Sequence, residues 1–115
     1  MSRKPVSVSQ VNSYLARLIA ADSVLSDIAV TGEVSNLTEH RSGHVYFSLK
    51  DALAQVRAVM FRLNNRALKF IPQNGNHVII VTAQVSLYEA RGDYQLLVSQ
   101  MELAGDGILH KKFWN

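Results

Sequence analysis

From Ile28 onward the apolar residues stop recurring every three or four positions and begin to recur every second one. That period belongs to β-strands with one buried face, and it persists long enough to require several strands rather than one. Ile28, Val30, Gly32 and Val34 alternate with Ala29, Thr31, Glu33 and Ser35. Gly32 carries no side chain to pack, so a bulge or sharp coil is expected there, of the kind a small barrel needs to curve around its core. A polar loop follows over 36–43, closed by Gly43, which can supply a positive φ. Next come Val45, Phe47 and Leu49, alternating with His44, Tyr46 and Ser48, and, after a turn over 50–55, Val56, Ala58 and Met60, alternating with Arg57, Val59 and Phe61. With the aliphatic set facing inward, His44, Tyr46 and Arg57 face out. Phe61 shares their parity but ends its strand, where a side chain can fold back over the rim.

The flanks complete the architecture. Ser7 and Gln10 form a capping box, in which each side chain satisfies the other residue's backbone N–H. A helix is expected to follow, with Val8, Val11, Leu15, Leu18 and Ile19 as an apolar stripe that buries against the side or end of a barrel. Docking of a partner subunit by that stripe is the second possibility. Residues 62–70 suggest a short helix carrying Arg62, Arg66 and Lys69, and residues 72–76 a turn. Two strands, 77–88 and 94–103, flank a hairpin loop over 89–93. Five strands with a helix between the third and fourth make a mainly β, five-stranded Greek-key barrel, the OB-fold, here preceded by a helix. Residues 1–24 read as leader and helix, 25–104 as the barrel, and 105–115 as the start of a linker cut short before a further region.

Size and charge narrow the function. With 115 residues, 48% hydrophobic and 18% charged, the chain suits one globular core. No apolar run is long enough for a membrane span or signal peptide. Cysteine is absent, which rules out disulfides and thiolate metal sites and fits the cytoplasm. Net charge is +3, and its placement is uneven. Residues 36–70 hold six cations against two anions, while the first third balances and the last third is slightly acidic. A basic centre interleaved with aromatics is the pattern of a nucleic-acid-binding face, although solubility alone can also explain it.

The stretches VSVSQVNSYL, VTGEVSNLTEHRSGHVYFSLKD, AQVRAVMF and VSLYEARGDYQLLV, in this order, make the chain resemble the N-terminal domain of the exodeoxyribonuclease VII large subunit, from about Val8 to Gly107. It departs from that pattern at Ala83, where glycine is usual, and at Ala90, where proline is common. The resemblance implies an OB domain that holds single-stranded DNA. It also implies a parent enzyme, built from one large and several small subunits, that degrades such DNA to oligonucleotides. Catalysis is implied to lie beyond these residues, so the 115-residue chain is expected to bind without cutting and to need no cofactor of its own.

The candidate binding residues are His40, Arg41, His44, Tyr46, Lys50, Arg57, Phe61, Arg62, Tyr88, Arg91 and Tyr94. Tyr46 and Phe61 offer rings to unstacked bases; Lys50 and Arg57 can meet phosphates, Arg57 also by stacking its guanidinium. The plain alternatives are a tyrosine resting on a lysine stem and an Arg57 ion pair with Glu33 or Asp51. His40, Arg41 and His44 border the first hairpin loop, and Tyr88, Arg91 and Tyr94 the last. A cross-strand Tyr88–Tyr94 pair that only braces the hairpin is the alternative there. The His40 and His44 spacing invites zinc, but Ser42 and Gly43 break the helix such a pair needs and no third ligand is near. Glu33, Asp51 and Asp93 are too dispersed for a nuclease metal site. Three functions remain open: a single-stranded DNA module, an assembly or positioning element whose apolar helix and LHKKFW tail join other subunits or a catalytic domain, and an RNA-binding OB domain; a homo-oligomer is a further possibility.

Overall fold

In a computed structural model, which describes residues 3–104, the five strands close into a barrel in the order β1-β2-β3-β5-β4. Helix α1 spans Val8–Ala21, and the strands are β1 Ile28–Glu39, β2 Val45–Lys50, β3 Gln55–Met60, β4 His77–Tyr88 and β5 Asp93–Leu103. A single turn, α2 Arg62–Asn65, lies between β3 and β4. All neighbouring strands pair antiparallel except β3 and β5, whose parallel contact closes the Greek key. Of the residues assigned inward, Val45, Phe47, Leu49, Ala58 and Met60 are buried in the core and Val56 is only partly buried against it; Val34, Val78, Ile80, Val85, Leu96 and Val98 complete the core. The expected linker over 105–115 lies outside the described residues.

Several local expectations meet a different outcome. Gly32 sits in regular register opposite Val78, and the β1–β2 irregularity falls instead between Ser35 and Thr38. Gly32 is needed for close approach: a Cβ there would stand 2.8 Å from Leu49 Cγ and 2.9 Å from the Lys50 carbonyl oxygen. The bulge is made by Asn36 at φ 52°, a left-handed conformation that asparagine tolerates better than most residues. As a result β1 continues through Glu39, and the polar loop shrinks to the few residues around Gly43, which takes the expected positive φ of 96°.

The expected second helix stops after one turn. Asn65 spends its side chain on the Gly43 carbonyl, and Leu68 and Phe70 turn onto the core, while Pro72 disfavours helical geometry in Ile71.

Helix α1 has its capping box, with Ser7 N–H donating to Gln10 Oε1 at 2.7 Å and Gln10 N–H to Ser7 Oγ at 3.1 Å. It lies along β4, and Asn12 Nδ2 donates to the Glu89 carbonyl at 2.8 Å. The expected burial of its stripe does not occur. Only Ile19 packs on the core; Val8, Val11, Leu15 and Leu18 stay 41–77% exposed. The half-buried residues of the helix are Asn12, Ser13, Ala16 and Ile19, so a mostly short or polar flank meets the barrel.

Candidate nucleic-acid interface

The outer faces of β2, β3 and β5 form the floor of an open groove of about 680 Å³. Tyr46, Ser48, Arg57, Val59, Phe61 and Gln95 line it from below, Asn36 and Thr38 from the β1 side, and Tyr88 and Arg91 from the β4–β5 hairpin. Strand register explains why these side chains converge. Directly paired residues share a face of the sheet. Tyr46 pairs with Val59 and Val59 with Leu97, giving an apolar row across three strands. Beside it, Ser48 pairs with Arg57 and Arg57 with Gln95, giving a polar row. Tyr46 and Phe61 are 43% and 41% exposed, whereas Val59, which parity alone placed on the outside, is only 4% exposed. Val59 is therefore an apolar base beneath two accessible rings.

The charges around this floor are unevenly committed. Arg57 has no ion-pair partner among the described residues: Glu33 sits 3.9 Å from His77 Nε2, and Asp51 accepts from the backbone N–H groups of Leu53 and Ala54. Those two hydrogen bonds hold the Asp51 carboxyl below its ordinary pKa. Arg91 lies 3.7 Å from Asp93, a partly exposed pair that leaves the guanidinium within reach of an anion. A floor with accessible rings, one unpaired guanidinium and a second at the rim can stack bases and neutralise phosphates together.

Five of the residues picked from the sequence thus line one groove: Tyr46, Arg57, Phe61, Tyr88 and Arg91. The others lie elsewhere. His40 borders the groove, its ring edge-on to Tyr46 at 6.3 Å, and its Nδ1 accepts from the Ser42 N–H. Arg41 is exposed in the loop beyond it. His44 is half-buried, its Nδ1 accepting from the Arg62 N–H at 2.9 Å and its ring meeting that of Phe61 edge-on at 5.2 Å. Arg62 lies over Gly43, where a Cβ would stand 2.7 Å from Arg62 Cδ. Lys50 closes the far end of β2 opposite Glu33. Tyr94 pairs with Leu87 while Tyr88 pairs with Asp93, so the two tyrosines point to opposite faces and form no cross-strand pair. Among the described residues, no three histidine or acidic side chains gather as metal ligands.

Asn36, Thr38, Ser48, Val59 and Gln95 also line the groove, although none is among the candidates the sequence offers. Period-two parity places Ser48 with Tyr46, and Gln95 opposite in sense to the buried Leu96, so the signal was available for both.

Residues 6–102 match the OB-fold nucleic acid binding domain family, and the chain belongs to it. Within that class its relatives are specific. It is 51% identical to the exodeoxyribonuclease 7 large subunit of Tolumonas auensis over 91% of this chain and 23% of that protein. It is 51% identical to that of Histophilus somni over 96% and 24%, respectively. The chain thus spans about a quarter of the length of these relatives. Among solved structures, its fold resembles a replication protein A heterotrimer bound to single-stranded DNA, with TM-score 0.57, 14% identity and coverage of 74% of this chain and 62% of that one. It also resembles asparaginyl-tRNA synthetase from Pyrococcus horikoshii, with TM-score 0.54, 16% identity and coverage of 70% and 20%. At such identities the likeness is one of fold.

Proposed function

We propose that this chain is the strand-holding OB domain of an exodeoxyribonuclease VII large subunit and binds single-stranded DNA along the β2–β3–β5 groove. One observation carries the proposal: Arg57, unpaired among the described residues, shares one groove with the accessible rings of Tyr46, Phe61 and Tyr88. Base stacking on such rings contributes roughly 1–3 kcal/mol per base and tolerates any sequence, while guanidinium groups track the phosphates. Hydrolysis is assigned to parts of the enzyme beyond this chain, and cytoplasmic DNA is the substrate class. The relatives' names support that assignment over RNA, which the fold would equally admit.

A second role is favoured by α1, whose apolar residues Val8, Val11, Leu15 and Leu18 remain exposed. We assign this face to assembly, through contact with the rest of the enzyme, its small subunit or a second copy. Among the described residues no helix is long and apolar enough to cross a membrane.

Fluorescence anisotropy with labelled single-stranded DNA, RNA and duplex tests the first role. The expected result is salt-sensitive binding that favours single-stranded DNA and weakens in Tyr46→Ala and Arg57→Ala. A folded sample that binds no strand at low salt would refute it and leave assembly as the domain's role.

A further inference from the structure

Half of the cations in the basic middle of the chain lie outside the groove, at one end of it. Residues 36–70 hold six cations, and three of them, Arg41, Arg62 and Arg66, are exposed and make no ion pair among the described residues. The fold brings these three together. Arg66 N–H donates to the Arg62 carbonyl, so the two arginines sit one helical turn apart on the same side. The Arg62 stem covers Gly43, two residues from Arg41. Two hydrogen bonds fix the β1–β2 loop to the α2 turn: Asn65 Nδ2 donates to the Gly43 carbonyl at 2.6 Å, and Arg62 N–H to His44 Nδ1 at 2.9 Å. Glu39, the acid closest to Arg41 in sequence, lines a separate cleft with Leu37, Phe70 and Pro72 and forms no ion pair with any of the three.

This arginine shelf is continuous with the groove. Tyr46 and Phe61 are exposed at the end where Val45 pairs with Met60. His40 lies edge-on to Tyr46 and His44 to Phe61, and His44 in turn holds the Arg62 backbone. A strand stacked on Tyr46 and Phe61 therefore has the shelf directly ahead of it. Arg57 and Arg62 are five residues apart, at most about 17 Å, the length of about five nucleotides at 3.4 Å per phosphate.

We propose that the single strand leaves the groove over Phe61 and crosses this shelf, its phosphates meeting Arg41, Arg62 and Arg66. The proposal rests on DNA lying in the groove and lengthens its path. The shelf adds charge contacts and reads no base, so its contribution is independent of sequence and needs a strand long enough to reach past Phe61.

Anisotropy titrations of the 115-residue chain with oligothymidylates of about six and about fifteen nucleotides, each at several salt concentrations, test it. The shorter strand reports the groove's own cations. Three further phosphates at about 0.7 each should steepen the salt slope of the longer strand by about 2, roughly eighteenfold in affinity over a fourfold rise in salt. Short strands carry a sparser counterion atmosphere whatever binds them, so the deciding comparison is with the triple variant Arg41→Gln, Arg62→Gln, Arg66→Gln. In that variant the extra slope of the longer strand should shrink by about 2. The corresponding triple lysine variant keeps the charge and should restore it. If the glutamine variant gains as much slope with length as the wild type does, the strand does not cross the shelf and the proposal falls, while binding in the groove stands. If the glutamine and lysine variants lose it alike, the arginines act on the fold rather than on phosphates, which also overturns the proposal. Failure of the wild type to bind either strand at low salt refutes the DNA-binding role itself.

Discussion

Arg57→Met removes a charge from the groove floor and keeps an apolar stem of similar length, so its effect should appear in the salt dependence of binding. The groove holds two cations, Arg57 and Arg91, and Arg91 is shared with Asp93 at 3.7 Å. Each phosphate neutralised on a single strand contributes about 0.7 to the slope of log affinity against log salt. Two contacts give a slope of about −1.4, equivalent to roughly sevenfold weaker binding when salt rises fourfold. Without Arg57 the slope should fall to about −0.7, and the same rise in salt should cost only about threefold. Anisotropy titrations at several salt concentrations measure both slopes. Asp93→Asn is a useful companion, because it releases Arg91 and should raise affinity at low salt in either background. If Arg57→Met and wild type weaken in parallel, separated by a constant offset, Arg57 does not neutralise a phosphate and its assigned role is wrong.

The two hairpin tyrosines should separate cleanly. Tyr88→Ala should lose about 1–3 kcal/mol of binding, as for one stacked base, while Tyr94→Ala on the opposite face should bind as wild type does; a matching loss in both would place the strand elsewhere. Gly32→Ala drives a Cβ to 2.9 Å from a backbone oxygen that cannot turn aside, and should destabilise the barrel by about 1–3 kcal/mol in thermal or urea unfolding. An unchanged melt would show that β1 and β2 are not held this closely. The Asp51 carboxyl is held below its ordinary pKa by the Leu53 and Ala54 amides, so its contribution to stability is complete above the unfolded value and disappears as pH falls through the lower folded one. Wild type should therefore exceed Asp51→Ala in stability at neutral pH, and urea titrations should show the gap closing in acid. Ser35 Oγ is buried without a hydrogen-bond partner among the described residues, so Ser35→Ala should leave stability equal or higher; a clear loss would reveal a partner for the hydroxyl.

What the sequence made legible, and what it withheld, divides between information within a strand and information between strands. Alternation is local, so it placed Val45, Phe47 and Leu49 in the core and Tyr46 and Arg57 on the groove face. Depth on the outer face depends on neighbouring strands, and Val59 lies at the bottom of the groove although its parity is that of Arg57. Helix α1 is similar: its capping box and apolar spacing are local and specify a helix, but the side it turns to β4 is set by Asn12 meeting Glu89, 77 residues away.

The hairpin shows how small the missing information can be. A loop over 89–93 would set Tyr88 opposite Tyr94, on one face. The observed strand begins one residue earlier, at Asp93, so Tyr88 opposes Asp93 and Tyr94 falls on the other side. A one-residue shift in register moves a side chain through the sheet, and here the turn itself sets it: Gly92 takes a positive φ of 75°, and its N–H and that of Arg91 both donate to the Tyr88 carbonyl. Contacts outside the hairpin bear on it: Asn12 donates to the Glu89 carbonyl, and its amide lies 3.2 Å from where a Cβ on Gly92 would stand. Helix α1 thus bears on the groove without lining it. By bracing this loop it helps hold the register that sends Tyr88, rather than Tyr94, to the face where Arg57 and Gln95 are paired.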